Sequence, residues 1–580
     1  MKAMQNTTIA AVSTAYGEGG IGIVRISGPA AGGILCRLFG RDAAFDDRHM
    51  YYGHIVDPGD KTMQGENQKT ANARHAGDVC ETANARHAGD VREATSARHV
   101  GDVREEEIID EVLAVLMHGP RTYTGEDVAE IHCHGSIVSL RRILDAALRC
   151  GAEPASPGEF TQRAFLNGRI DLAQAEAVID IVRAKTERSA SAAVAQLGGG
   201  LSQRIEEARN LLADALALAV VHIDYPDDDK DFRDEDSAQA QMTTGLRAAS
   251  DQIAELIKTA DTGRILREGL NVVIAGAANA GKSSLLNALL KESRAIVTAI
   301  PGTTRDSIEE QANIKGIPVR LTDTAGIRET DNEIEQIGIE RARAALMDAD
   351  LIVFLVDGSK EIDEDDIGAL RFVKEEQDIN LHRQDEKSLH LIEHTGVETQ
   401  TSFNQPAGSN IVVAISKSDL PQAVTEESLE YLIKDAGLSE KLITPAPNRK
   451  KSRQGNHPNT ICESEARHTV CDSGTLYTIH ISATTGEGIP ALEDRIEGAV
   501  YSGAAAQRDE PLVTNTRHKN LLTRAASEIE AATEQLTQTG NIDLAETNIR
   551  AAYDYLGEIT GETATDDIID RIFSRFCIGK

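Results

Sequence analysis

The sequence predicts a multidomain chain, α/β plus all-α: an N-terminal α/β domain, a helical domain in two pieces, and a phosphate-binding α/β domain inserted between those pieces. Three observations predict it. Residues 276–283 read Gly-Ala-Ala-Asn-Ala-Gly-Lys-Ser, a complete G-x-x-x-x-G-K-[ST] loop between an apolar run at 272–275 and a helical stripe of Leu285, Leu286, Leu289 and Leu290. Helical pattern rich in Ala, Leu, Gln and Glu fills 171–264 and returns at 514–576, so it brackets that loop. Upstream, strand-like runs at 21–26, 108–117 and 128–133 are split by Gly and Pro turns. The boundaries drawn are 1–167, then 168–266 with 501–580, and 267–500 for the inserted domain.

A length of 580 residues suits about three domains. Lys and Arg total 60 against 93 Asp and Glu, a net charge of −33. That sign is unfavourable for gripping nucleic-acid phosphates directly, so a partner is expected to supply the cationic surface. The seven cysteines are scattered without a C-x-x-C pair, which fits a reducing compartment. Residues 1–20 lack the apolar core of a secretory signal, and the apolar stretch 211–221 contains Asp214 and is too short to span a bilayer. A cytoplasmic protein with no membrane partner is expected.

Three segments read as polar insertions, at about 58–107, 375–410 and 440–475. The first repeats a short Arg-His unit at 73–79, 85–91 and 97–103, with an echo at 465–471. Units this small and polar cannot bury a core, so loosely ordered surface excursions are expected. The acidic run 224–236 reads as a solvated loop between helices.

In the inserted domain, strand, Gly-rich turn and helix N-terminus make an anion cradle. Backbone N–H groups face the phosphates, Lys282 reaches the β- and γ-phosphates, and Ser283 can ligand Mg²⁺. The strand 319–322 ends in Asp323-Thr324-Ala325-Gly326, where Asp323 can hold the magnesium shell and the Gly326 N–H can meet a γ-phosphate. Apolar strands at 351–356 and 411–415 follow, and the latter ends in Ser416-Lys417-Ser418-Asp419. Asp419 can accept from the N1–H and amino group of guanine, a donor pair that adenine lacks. The strand 477–481 runs into Ser482-Ala483-Thr484, whose backbone can meet guanine O6. In this order at strand ends, these segments point to GTP.

The whole chain resembles the tRNA-modification GTPase family MnmE, also called TrmE. Besides the nucleotide motifs, the resemblance rests on 19–28 (GGIGIVRISG), 123–130 (YTGEDVAE), 157–165 (PGEFTQRAF), 167–177 (NGRIDLAQAEA) and the closing Phe576-Cys577-Ile578-Gly579-Lys580. It implies an N-terminal folate-binding and dimerisation domain, a discontinuous helical domain and an inserted Ras-like P-loop G domain. For the nucleotide it implies contacts from Asn279, Ala280, Gly281, Lys282, Ser283 and Ser284, from Thr298, Ala299, Ile300, Pro301, Gly302, Thr303 and Thr304, and from the strand-end residues above. Asn279 with the carbonyls of Thr298, Ile300 and Thr303 would hold K⁺, and Thr304 would join Ser283 on Mg²⁺.

Ile327 stands where many small GTPases place the glutamine that orients water, and an apolar side chain cannot do so. The family position assigns that task to Glu335; Glu333 and Glu329 are the neighbouring carboxylates. Arg305 is a weak candidate for an arginine finger. Ser416 replaces the usual asparagine, which puts the guanine N7 contact in doubt, and Ala277 and Ala278 replace a bulkier pair.

The resemblance also implies a one-carbon tetrahydrofolate on Arg25, Glu130, Arg169 and Lys580, with Cys577 needed for modification. Ser136 departs from a Gly-Gly pair in that region, and His132, Cys133 and His134 read as packing residues, since alternation along a strand keeps them from converging on one metal. The implied activity is GTP-driven formation of a 5-carboxymethylaminomethyl or aminomethyl group on the wobble uridine of certain tRNAs. The implied partners are a second copy of the chain, tRNA, and MnmG carrying FAD and NADH. A GTP-gated ribosome-assembly or scaffold protein is the rival class, and such proteins usually append a basic RNA-binding module that is not visible here. A folate-binding module with a vestigial G domain is opposed by the intact Lys282, Ser283 and Asp323.

Overall fold

The computed structural model describes residues 7–15, 17–57, 107–224, 235–292, 309–324, 333–395, 410–436, 468–471, 474–501 and 512–579. The chain divides into two compact units, residues 1–171 with 565–580, and residues 172–564. The Arg-His repeats and most of the acidic run lie outside the described residues.

The first unit is built on one mixed sheet in the order β3-β4-β5-β2-β1-β6. Its strands are β1 (Ile9–Val12), β2 (Gly19–Ser27), β3 (Met50–Val56), β4 (Ile108–Met117), β5 (Val128–Gly135) and β6 (Glu153–Pro154), with α1 (Ala31–Phe39), α2 (Ile137–Arg149) and α3 (Glu159–Leu166). Alternation along each strand divides the faces. Val24 and Ile26, Val112, Ala114 and Leu116, and Ala129, Ile131 and Cys133 form one core with Ile34, Leu35 and Leu38 of α1 and Leu140 and Ile143 of α2. On the other face, Ile9 and Ala11 pack with Ala155, Phe160 and Tyr123.

The closing helix Asp566–Phe573 and the tail behind it belong to this unit, whereas the sequence reading gave them to the helical domain. Apolar burial explains the difference: Phe573 and Phe576 stack at 5.2 Å, Phe573 also meets Phe165, and both closing rings are buried. Gly158, at φ +71°, lies so close that an added Cβ would sit 2.8 Å from the Phe573 carbonyl oxygen.

The second unit begins with α4 (Leu172–Arg183), α5 (Glu187–Leu197), α6 (Gly200–Asp224) and α7 (Glu235–Glu268). The glycines at 198–200 separate α5 from α6. A seven-stranded sheet follows, in the order β12-β13-β11-β10-β7-β9-β8. Its strands and helices are β7 (Leu270–Gly276), α8 (Lys282–Glu292), β8 (Glu309–Ile314), β9 (Ile317–Asp323), α9 (Glu333–Met347), β10 (Leu351–Asp357), α10 (Glu364–Thr395), β11 (Asn410–Ser416), α11 (Glu426–Asp435), β12 (His468–Cys471), β13 (Gly474–His480) and α12 (Ile489–Tyr501). The sequence then returns to helix in α13 (Thr516–Glu534) and α14 (Ile542–Thr560).

The five expected strands are parallel neighbours, and β8 and β12 add antiparallel edges beyond them. Backbone pairing along β12 also orders part of an insertion read as loop. The same correction applies at 375–395, which α10 covers: this stretch holds no Gly or Pro until Gly396, so nothing breaks the helix.

Helices α6, α7, α13 and α14 pack around one core. Steps of three and four residues line one stripe of each helix, through Leu201, Ile205, Ala208 and Leu212 on α6 and through Leu246, Ala249, Ile253 and Leu256 on α7. The alanines among them let the helices approach closely. Beside this core, Glu176 of α4 accepts from Arg517 Nη2 at 2.9 Å, Asn515 Nδ2 at 2.9 Å and the His518 ring at 2.6 Å. The last turn of α7 is fixed by Arg267 on Asp180 at 2.8 Å and Arg264 on Asp350 at 2.7 Å, which sets the direction in which the chain enters β7.

Burial by itself would raise the Glu176 carboxyl, but the His518 charge and hydrogen bond and the Arg517 guanidinium outweigh it and hold it at about 2. A carboxyl lowered on folding stabilises the fold above its unfolded value, and that contribution is lost as pH falls through the folded value. Calorimetric unfolding should therefore show stability falling between about pH 4.5 and about 2. Glu176→Ala, which strands buried cations, should cost on the order of 3 kcal/mol at neutral pH and remove most of this acid dependence.

Candidate functional site

Strand β7 lies between β9 and β10 and ends where the phosphate-binding loop begins. Gly276 has φ +145°, and an added Cβ would stand 2.3 Å from the Leu355 carbonyl oxygen, so this turn requires glycine. Asn279 takes φ +62° at the exposed crest of the loop, a left-handed conformation asparagine tolerates better than most residues. Ala280 turns inward and is fully buried. The Lys282 ammonium donates to the carbonyls of Gly276 and Ala277 at 2.9 and 2.7 Å, across the concave side of the loop.

From β9, Asp323 accepts a 2.6 Å hydrogen bond from Ser283 Oγ. A hydroxyl beside a carboxylate is a hard-oxygen donor pair of the kind Mg²⁺ takes with phosphates and water. Thr324 is anchored to the Ile274 carbonyl through its N–H and hydroxyl. Ser284 is exposed in the first turn of α8.

The side expected to meet the base is built from β11 and β13. Ser416 is buried, and its hydroxyl donates to the Ala280 carbonyl at 2.6 Å. The serine thus ties β11 to the phosphate loop. Lys417 has φ +56°, and its ammonium meets the Asp357 carboxylate at 2.6 Å. Gln422 Nε2 holds the Lys417 carbonyl at 2.9 Å, and the Gly358 N–H holds the Ser416 carbonyl at 3.1 Å. Asp419 accepts from Ser482 Oγ at 2.7 Å, which orients the carboxylate that would read the base. Ser482 is itself buried just beyond the end of β13, with Ala483 half-buried and Thr484 exposed after it.

Asp357 was not picked out from the sequence, although it ends an apolar strand in the same way as Asp323. Burial would raise its carboxyl, but hydrogen bonds from Lys417 and Ser359 outweigh that and hold it below the usual carboxylate range.

Thr298, Ala299, Ile300, Pro301, Gly302, Thr303, Thr304, Arg305, Ala325, Gly326 and Ile327 lie outside the described residues, as does Lys580. Glu335 lies in the first turn of α9, with its backbone described and its side chain not.

The first unit brings together a second set. Arg25 and Glu130 are cross-strand partners on β2 and β5, joined from Arg25 Nε to Glu130 Oε1 at 2.9 Å. The Arg25 guanidinium lies 5.3 Å from the Tyr123 ring centroid and 5.7 Å from that of Phe160. Arg169 is exposed, stands 5.1 Å from the same Tyr123 centroid, and donates to the Tyr123 carbonyl at 2.7 Å. Three of the expected folate contacts therefore share one aromatic-lined face.

The tail is seated along β1, where an added Cβ at Gly579 would stand 2.1 Å from the Val12 carbonyl oxygen, and the Gly158 N–H donates to the Cys577 carbonyl at 3.3 Å. Cys577 is exposed, whereas Cys133 and Cys150 are buried. Burial pushes the Cys133 thiol up to about 11 and raises Cys150 as well, which keeps both unreactive.

The packing assignment of the two histidines is corrected. Of the three residues, Cys133 enters the core; His132 meets Glu130 at 3.3 Å and the exposed His134 meets Asp110 at 2.7 Å. Strand alternation sends both rings to the face opposite that core, where His132 is half-buried and His134 exposed.

The family model for the MnmE helical domain matches residues 172–577, and that for the GTP-binding protein TrmE N-terminus matches residues 8–70 and 62–169. A tRNA modification GTPase MnmE of Alkaliphilus oremlandii is 39% identical over 99% of both chains. Proteins of the same description from Geobacter metallireducens and Clostridioides difficile are each 38% identical over 99% of both chains.

Ser416→Ala should weaken GTP about fivefold to tenfold by freeing the phosphate loop from β11. Ser416→Asn, which adds a second donor near the base, should tighten it severalfold. Equilibrium titration with a fluorescent GTP analogue reads both.

Proposed function

The chain belongs to the MnmE family of tRNA modification GTPases and is a GTP-hydrolysing enzyme of tRNA modification; from that premise we propose how its two sites divide the work. GTP is turned over at the loop of 276–283, and the first unit holds a one-carbon tetrahydrofolate that supplies the new substituent at C5 of the wobble uridine of certain tRNAs. The product is the 5-carboxymethylaminomethyl or aminomethyl group. The observation that carries this reading is the grouping of Arg25, Glu130, Arg169 and the Cys577 tail within one unit, while the nucleotide loop belongs to the other.

At the nucleotide, Lys282 exchanges its two loop carbonyls for phosphate oxygens, and Asp419, held by Ser482, accepts from the guanine edge. Ser283 and Thr304 would hold Mg²⁺, with Asp323 on its shell through water, and the ion would screen the phosphate charge. Asn279, with the carbonyls of Thr298, Ile300 and Thr303, would hold K⁺, which supplies positive charge near the β/γ bridge. The left-handed, exposed Asn279 supports this, because its side chain starts from the crest of the loop. Glu335, at the start of α9, orients the attacking water in place of Ile327.

At the first unit, a pterin edge with adjacent N–H donors suits the Glu130 carboxylate, and the carboxylates of a glutamate tail suit Arg169 and Lys580. The chain acts as a homodimer whose G domains meet face to face during the cycle. It works with MnmG, which carries FAD and NADH and contributes cationic surface for tRNA. The net charge of −33 supports that division. The setting is cytoplasmic; among the described residues, no helix is long and apolar enough to cross a membrane.

GTP turnover should be roughly tenfold or more faster in KCl than in NaCl, and Asn279→Ala should abolish the difference. Equal rates in the two salts for the natural chain would remove the potassium assignment. Mass spectrometry of tRNA nucleosides from cells lacking the protein should show unmodified wobble uridine, and a normal profile would remove the proposed substrate.

A further inference from the structure

We propose that His132 is a positioning residue for the folate seat, one that locks the Glu130 carboxylate in the orientation that receives the pterin edge; this rests on the folate reading given above. His132 and Glu130 lie two residues apart on β5, so their side chains rise from the same face of the sheet. Arg25 is the cross-strand partner of Glu130 on β2 and shares that face. Across the sheet, His132 is flanked by Leu113 of β4 and Ile23 of β2 at its own register. Those apolar neighbours offer the imidazole no hydrogen bond, and its Nε2 turns along the strand to Glu130 Oε2 at 3.3 Å.

The carboxylate is thus held by one donor on each oxygen, Arg25 Nε on Oε1 and His132 Nε2 on Oε2. Side-chain exposures of 17%, 18% and 22% for Arg25, Glu130 and His132 place the trio largely out of water, where such bonds are stronger than at the surface. A single donor would leave the carboxylate free to turn about its terminal torsion. Two donors on separate oxygens fix its plane, and each oxygen keeps further acceptor capacity. A fixed pair of acceptors side by side is the complement of the adjacent amino and ring N–H groups of a pterin. His134 differs, because it pairs with Asp110 at the solvent-exposed end of the strand and does not touch Glu130.

The test is calorimetric titration of the full-length chain with 5-formyltetrahydrofolate. His132→Leu, which keeps bulk and removes the donor, should weaken binding about tenfold. His132→Gln, which restores an N–H donor, should return it to within about threefold of the natural chain. Glu130→Gln should weaken it at least as much as His132→Leu. Natural affinity in His132→Leu, with loss in Glu130→Gln, overturns the positioning role and leaves the folate seat standing. Natural affinity in Glu130→Gln overturns the seat itself. If His132→Leu fails to fold, the glutamine variant and His132→Asn, whose amide is too short to reach Glu130, give the same comparison. Equal weakening by the glutamine and leucine variants, with unchanged melting temperatures, also overturns the role.

Discussion

The close contact of Gly276 with the Leu355 carbonyl is the constraint from which the nucleotide site follows. It lets β7 lie flush against β10 up to its last residue and then release the chain into the loop at once. Lys282 is thereby folded back over the carbonyls of Gly276 and Ala277, and Ser283 is brought onto Asp323. The Ala280 carbonyl becomes the point to which Ser416 ties β11. A side chain at 276 would push β7 and β10 apart, and each of these contacts would lengthen together.

The serine at 416 is committed to the phosphate loop. Its hydroxyl reaches the phosphate loop, so the base strand and the phosphate cradle stay joined. A single short hydroxyl already committed to that carbonyl has little reach toward the purine ring. Next along the chain, Asp357 grips Lys417, whose backbone is left-handed.

In the first unit the organising element is the aromatic face of Tyr123 and Phe160. Arg25 and Arg169 lie within cation–π distance of Tyr123, and Glu130 is the carboxylate that meets Arg25 among the described residues. Two guanidinium groups over one ring suit an anionic ligand. Phe573 and Phe576 anchor the tail into the same unit, so the exposed Cys577 is delivered by burial of its neighbours rather than by burial of its own side chain.

Much of the architecture was legible because its signals are local. A Gly-rich loop between strand and helix, strand ends marked by Asp323 and Asp419, and helical periodicity on either side can all be read within a few residues. The helix over 375–395 and the edge strands β8 and β12 also rest on local signals, an unbroken stretch and two short hairpins, which polar composition masked; the destination of the tail was not legible, since the burial of Phe573 depends on partners far along the chain. The histidines divide in the same way: alternation placed His132 and His134 on one face and set Glu130 beside His132, but Asp110 reaches His134 through the pairing of β4 with β5. The sequence by itself determined the nucleotide class and the order of the domains, because those rest on short motifs with fixed backbone geometry. Only the tertiary structure decided that Ser416 holds the Ala280 carbonyl and that Arg25 meets Glu130, because a hydrogen bond is set by where donor and acceptor end in space.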